Sequence, residues 1–325
     1  MNYGAAITPP TVTRTGYTFA SWSPAPPPTV PANDATYVAQ WTINQYTLTF
    51  NSNGGTAVTP VTAPYGTSIS VPTAPTKTGY NFGGWYSDSG LTSAVTWPYT
   101  LGANNITFYA KWTARTYTID YNGNTADSGT TVSSAHTYDV GAALTANGYT
   151  KTGYNFLGWA LTDTATTPAY TDGQTVTNVT TGDGVIVTFY AVWQAILYQV
   201  SYDANGGTGT QSPVSQIYNS PVALPATGFA KTGHTFIGWN TTSSATTALT
   251  SFNMPVGGAT LYAIYTINTY TVSFDANGGS GSYGPVTQNY GTAVTLPATG
   301  FTRAGYNLAG WNTTNDATAP LASYT

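Results

Sequence analysis

The nine-residue phrase "RTGYTFASW" (14–22) returns four more times, as "KTGYNFGGW" (77–85), "KTGYNFLGW" (151–159), "KTGHTFIGW" (231–239) and "RAGYNLAGW" (303–311). No other property of the chain restricts its fold as strongly. A unit that recurs in tandem must be one compact module whose faces suit a neighbour of the same kind. The tryptophans that close the phrase, Trp22, Trp85, Trp159, Trp239 and Trp311, are separated by 63, 74, 80 and 72 residues. A second anchor follows each of the first four phrases: "YVAQW" ending at Trp41, "FYAKW" at Trp112, "FYAVW" at Trp193 and "LYAIY" at Tyr265.

The two anchors split each repeat into a constant and a variable half. From the second anchor to the next closing tryptophan the distance is 44, 47, 46 and 46 residues, whereas from phrase to second anchor it is 19, 27, 34 and 26. Insertions accumulate on exposed loops rather than in packed elements, so the segment after each phrase is read as a variable surface loop.

The constant half opens on alternating strands, "YTLTFNSNGG" (46–55), "YQVSYDANGG" (198–207) and "YTVSFDANGG" (270–279), with "YTIDYNGNTA" (117–126) as the divergent copy. Aromatic and aliphatic side chains fall two apart, the period of a half-buried strand, and Asn-Gly-Gly supplies the positive φ of a tight turn. A second turn is expected at Tyr65-Gly66, Tyr138-Asp139, Tyr218-Asn219 and Tyr290-Gly291, because Gly, Asp and Asn enter left-handed backbone most readily. No segment of 12 or more residues carries a helical period in good helix formers, and Thr, Val, Tyr, Gly and Pro dominate throughout. The units are therefore mainly β. Boundaries follow from the anchors: 42–112, 113–193 and 194–265 are complete repeats, 1–41 lacks the first strand and 266–325 lacks the last.

Composition narrows the function. Only 6% of the 325 residues are charged; seven cations against eleven anions, all Asp, leave a net charge of −4. No basic face is available for phosphates, which argues against nucleic acid as a partner. There is no cysteine. No apolar run approaches the roughly 18 residues of a membrane-spanning helix, so no membrane insertion is expected in this segment. Met1-Asn2-Tyr3-Gly4 has no signal-peptide character, so an export signal or anchor would lie outside this chain.

The strand with "FDANGG", the Tyr-Gly turn, "[RK]TGYxFxGW" and "YAxW" together resemble the Listeria–Bacteroides repeat, also known as the internalin B-repeat family, over nearly the whole chain. The resemblance implies small α+β, β-grasp-like modules of about 70 residues in tandem, within large secreted or surface-attached bacterial proteins that include adhesins. It implies a place and a stalk-like role rather than a chemistry. Departures are Asn122-Gly123-Asn124, His234 for Tyr, Leu308 for Phe and Tyr265 for Trp.

On this reading the nine anchor residues Trp22, Trp41, Trp85, Trp112, Trp159, Trp193, Trp239, Tyr265 and Trp311 form repeat cores. The phrase cations Arg14, Lys77, Lys151, Lys231 and Arg303 should lay their stems over an aromatic neighbour and keep their heads wet. With two His, no Cys and no Glu, the inventory for catalysis is poor, and no catalytic, cofactor or metal site is assigned. "DANGG" is read as a turn rather than a calcium loop, because it lacks the spaced oxygen ligands calcium needs. Trp97, with Tyr99 in the loop "VTWPYT", is the one tryptophan outside the repeated anchors. It is either a hydrophobic plug beneath the loop or a contact for a host-surface protein or glycan.

The functional expectation is a structural segment of a large extracellular or cell-surface bacterial protein, a stalk, spacer or filament body forming an elongated rod. Its partners would be neighbouring repeats of the same or identical chains. Short joints such as "WTINQYT" (41–47) suit a semi-rigid array. The partial terminal repeats admit two readings, a window from a longer array or completion by strand addition between chains.

Overall fold

The computed structural model describes residues 1–226 and 228–325, and the described residues contain strands and turns but no helix. Three complete repeats each build a four-stranded sheet with one topology. In the second repeat the order across the sheet is Val61–Pro64, Gln45–Asn51, Ile106–Ala114 and Tyr80–Tyr86. The third has Ser134–Thr137, Thr116–Asn122, Val185–Ala195 and Tyr154–Ala160, and the fourth Val214–Ile217, Leu197–Asp203, Ala259–Ile267 and His234–Asn240. First and last strands lie parallel at the centre, with Leu48 opposite Ile106 and Phe50 opposite Phe108. The phrase strand runs antiparallel beside the last, with Phe82 opposite Trp112 and Trp85 opposite Ala110.

Parallel central strands give the β-grasp order. The α component is not formed among the described residues. The connection from second strand to phrase, "SISVPTAPTKTG" (68–79), carries Pro72 and Pro75 among Ser, Thr and Val. Proline inside a helix removes a hydrogen bond and clashes with the preceding turn, and Ser and Thr compete for the backbone. That segment instead contributes the short strand Ser68–Ile69, which pairs with Tyr99–Thr100 of the variable loop.

Alternation in the first strands becomes alternation of burial. Leu48 and Phe50 are buried while Thr49 between them is exposed and Thr47 half-buried, and Tyr117, Ile119 and Tyr121 are buried in the third repeat. In the second repeat the buried cluster is Leu48, Phe50, Ile69, Trp85, Leu101, Phe108 and Ala110; in the fourth it is Val200, Val222, Trp239, Met254, Leu261 and Ala263.

In the first repeat Tyr17–Ser23 pairs antiparallel with Val38–Ile43, and in the fifth Thr269–Val272 pairs with Val286–Asn289. The chain divides into two compact units. One comprises Met1–Asn124, Gly129–Tyr149 and Gly158–Val192 and holds the core built on Trp85. The other comprises Thr125–Ser128, Thr150–Leu157 and Trp193–Thr325 and holds the core built on Trp239.

Candidate functional site: a tyrosine joint between repeats

The closing tryptophans of the three complete repeats are core residues, Trp85 at 2%, Trp159 at 0% and Trp239 at 1% exposure. Trp22 and Trp311, in the first and fifth repeats, are half-buried, as are Trp41, Trp112, Trp193 and Tyr265. At the second anchor Trp112 and Tyr265 pack against the buried cores from their edge and act as braces. Trp112 packs edge-on to Phe82 (5.5 Å) and donates its indole N–H to the Ser52 carbonyl of the first turn at 2.9 Å. Tyr265 does the same chemistry with a hydroxyl, donating to the equivalent Ala204 carbonyl at 3.0 Å. A ring and a donor aimed at one carbonyl are what the position requires, which explains the exchange of Trp for Tyr.

The turn that the brace holds is made by the Asn-Gly-Gly sequence. Asn53, Asn205 and Asn277 take φ of 47°, 48° and 46°, and their backbone N–H groups bond the side chains of Asn51, Asp203 and Asp275 two residues before. The Asn53 and Asn205 amides reach across to the carbonyls of Ala110 and Ala263 in the last strands, at 2.7 and 3.0 Å. The Asp of "DANGG" therefore acts as a turn acceptor. In the divergent copy Asn124 and Thr125 supply the positive φ, at 45° and 68°.

Each phrase cation sits over a ring of its own repeat: Arg14 over Tyr17 (3.9 Å), Lys77 over Tyr80 (4.3 Å), Lys151 over Tyr154 (4.4 Å) and Arg303 over Tyr306 (4.5 Å). Where His234 replaces the tyrosine, Lys231 lies over Tyr265 instead, at 5.5 Å. The heads also reach oxygen atoms of the first turn, Lys77 to the Asn53 carbonyl at 3.4 Å and Arg303 to that of Asn277 at 3.2 Å. The cation pins the phrase to its own turn.

The phrase glycine serves the next repeat. Gly16, Gly79, Gly153 and Gly233 have φ of 70–79°, and a β-carbon on any of them would stand 1.9–2.3 Å from the tyrosine of the following repeat's second turn, Tyr65, Tyr138, Tyr218 and Tyr290 respectively. Such approach leaves no room for a methyl group. The glycine carbonyl meanwhile accepts a backbone N–H from the linker: Asn44 and Arg115 at 2.9 Å, Ile196 at 2.9 Å and Asn268 at 2.8 Å. The ring also meets the phrase tyrosine edge-on, with Tyr17–Tyr65 at 6.2 Å and Tyr80–Tyr138 at 5.8 Å. The result is a glycine socket and a tyrosine plug at every junction.

The junction of the second and third repeats carries added polar contacts. The Tyr80 hydroxyl donates to Asp139 at 2.8 Å, and Asn81 donates to Asp183 at 2.7 Å while accepting from Arg115 at 3.0 Å. Hydrogen bonds from Asn178 and then Tyr80 hold the Asp139 carboxyl below its ordinary range; those from Asn81 and the Thr116 backbone do so for Asp183. The Tyr80 hydroxyl is pushed up by its bond to Asp139.

The loop aromatics lie against the core. Trp97 and Tyr99 are half-buried and meet Phe108 edge-on at 5.9 and 4.8 Å. A cleft of about 860 Å³ lies within the fifth repeat and is lined by Phe274, Leu296, Leu308 and Trp311 among others. No group of three His, Cys, Asp or Glu side chains able to hold a metal forms among the described residues.

The tyrosine plugs were not identified as functional residues from sequence. Each stands 20 or 21 residues ahead of its own closing tryptophan, but the glycine it covers belongs to the repeat before. Between plug and socket lies the variable loop, which hides any fixed spacing.

A family model described as the Listeria-Bacteroides repeat domain matches residues 1–40, 46–111, 117–192, 198–264 and 270–325. Two proteins of Evansella cellulosilytica are similar to the chain. "Putative Gly-rich membrane protein" is 36% identical over 83% of this chain and 31% of its own length, and "Putative membrane protein" is 35% identical over 86% and 41%. The chain thus spans less than half of either. Internalin H of Listeria monocytogenes serovar 1/2a is 39% identical over 32% of this chain and 21% of its own length.

Proposed function

The chain belongs to the Listeria–Bacteroides repeat family, and we propose that its repeats serve as the stalk or spacer of a large bacterial protein carried on or outside the cell. The observation that carries this reading is the junction. At four successive places a tyrosine of one repeat fills the glycine socket of the repeat before it, and a backbone hydrogen bond ties the same glycine to the linker. A chain that fixes each module on its predecessor gains length without needing a shared core. The names of the similar Evansella proteins and the likeness to Internalin H support a place at the cell envelope. The family's occurrence in adhesins makes an adhesin the class of parent protein we favour.

The engagement of Trp97 and Tyr99 by Phe108 weighs against a reading in which that loop grips a host protein or glycan. Solution scattering with negative-stain microscopy tests the spacer reading. A single globule of this length would have a radius of gyration of about 20 Å. The expected result is a clearly larger value and particles of uniform length. A value near the globular one would remove the reading, as would recovery of the parent protein wholly inside the cell in a surface-labelling experiment.

A further inference from the structure

The chain contains five Asn-Gly pairs, at 53–54, 122–123, 147–148, 205–206 and 277–278. In four of them the side-chain nitrogen of the asparagine is held. Asn53 donates to the Ala110 carbonyl at 2.7 Å, Asn205 to those of Ser243 and Ala263 at 2.7 and 3.0 Å, and Asn277 to that of Asn315 at 3.0 Å. Asn147 is fixed by a near neighbour, donating to the Tyr149 carbonyl at 3.1 Å and accepting the Tyr149 N–H at 2.9 Å.

Asn122 differs from all four. It is exposed, and among the described residues its side chain makes one hydrogen bond, through the oxygen, which accepts the Asn124 N–H at 2.8 Å. The place is that of Asn51, Asp203 and Asp275, which accept the same turn bond in the other repeats. The held place, two residues on, is taken by Asn124, whose amide reaches the Asp163 and Ala191 carbonyls at 2.9 Å each but which is followed by Thr125. The divergent turn has moved its Asn-Gly pair from the held place to the acceptor place.

We propose that Asn122 is a site of self-modification, at which the Gly123 backbone nitrogen attacks the Asn122 side-chain carbonyl and converts the residue to aspartate and isoaspartate. A bond forms from the Gly123 nitrogen to Asn122 Cγ as the bond from Cγ to Nδ2 breaks, and the proton lost by the glycine nitrogen leaves with Nδ2 as ammonia. Water then opens the five-membered imide at one carbonyl or the other. The net change is one ammonia exchanged for one water, with no oxidation or reduction. Glycine places no side chain in the way of ring closure. The bond from Asn124 turns the carboxamide toward the main chain and draws electron density from its carbon. The leaving nitrogen has no hydrogen bond to give up, whereas each such bond at the other pairs should slow the reaction roughly five- to tenfold. The two products differ in effect. Aspartate keeps the turn acceptor, as Asp203 and Asp275 do. Isoaspartate adds a methylene to the main chain inside the turn and should pull Asn124 off its two carbonyls. The inference goes beyond the spacer reading and does not rest on it.

Peptide mapping by mass spectrometry tests it, on the purified chain held in mildly alkaline buffer, once folded and once in concentrated urea. The exchange of ammonia for water is followed at all five pairs, and the two products are separated by chromatography. The expected result is that the folded chain converts Asn122 roughly five- to tenfold faster than each of the other four, and that urea brings the five rates together. Asn122→Asp should leave the urea midpoint unchanged, while aged chain enriched in isoaspartate should show a lower one. Conversion of Asn122 in the folded chain no faster than that of Asn53 or Asn205 would overturn the proposal. A lead for Asn122 that persists in urea would overturn it equally, because local sequence rather than the folded turn would then set the rate.

Discussion

The ring of Tyr138 lies across Gly79 so closely that a β-carbon on the glycine would be 2.2 Å from it, although 59 residues and a complete strand pairing separate the two. Gly79 is therefore needed twice, for its left-handed backbone and for the space above it. Gly79→Ala should destabilise the chain by about 2–4 kcal/mol, combining strain at positive φ with displacement of the ring. Gly305→Ala meets only the strain, about 1–2 kcal/mol. Urea denaturation of both variants, with amide exchange at Arg115 as the local probe, checks the difference; equal effects would mean that the ring yields freely.

The junction of second and third repeats should loosen in acid. Asp139 and Asp183 both have depressed folded pKa values. Their contribution is fully present above the unfolded carboxylate value of about 3.9 and is lost as pH falls through the folded values. The junctions at Gly66 and Gly291 have no carboxylate in the place of Asp139. Amide exchange at Arg115 should accelerate below about pH 4 while exchange at Asn44 and Asn268 changes less. Asp139→Asn should flatten part of that response.

His136 gives the third repeat a second, milder pH dependence. It is 2% exposed, stacked on Tyr117 at 5.4 Å, with Nε2 2.8 Å from the Ser134 hydroxyl and Nδ1 without a hydrogen-bond partner. Burial lowers its pKa, so the unfolded chain takes up the proton first, near pH 6.5. Stability should therefore fall as pH drops from about 6.5 toward the folded value and level off below it. His136→Gln, the residue type of Gln216 and Gln288 at this place in later repeats, should remove the slope in a urea titration between about pH 7 and 5.

Replacing Trp97 by Ala distinguishes plug from platform. Its contact with Phe108 makes it part of the second repeat's packing, and the substitution should cost about 2–4 kcal/mol, at the lower end of a buried aromatic truncation because the ring is only half-buried. A thermal midpoint unchanged from the parent would show that the ring contributes nothing to packing and return it to the surface readings.

The brace should follow its donor rather than its ring. Trp112→Tyr keeps an aromatic donor within the second repeat and should change stability little, as Tyr265 shows in the fourth. Trp112→Phe should cost about 1 kcal/mol more than Trp112→Tyr, the usual worth of one hydrogen bond. Chemical denaturation of the pair measures it.

The sequence by itself determined the repeat, its mainly β character, the alternation that buries Leu48 and Phe50, the turns at Asn-Gly-Gly and the seat of four phrase cations over the tyrosine three residues on, Lys231 over Tyr265 being the exception. These are local properties: side-chain period, backbone preference and contacts three residues apart are written within a few residues of one another. The core role of Trp85, Trp159 and Trp239 was legible for the same reason, since they close an alternating strand. Tertiary structure alone decided the parallel pairing of first and last strands, the half-buried bracing role of Trp112 and Tyr265, and the filling of each glycine socket by the next repeat's tyrosine. Those contacts join residues across loops of changing length. No spacing rule survives such a connection, and only the folded sheet brings the two partners to one place.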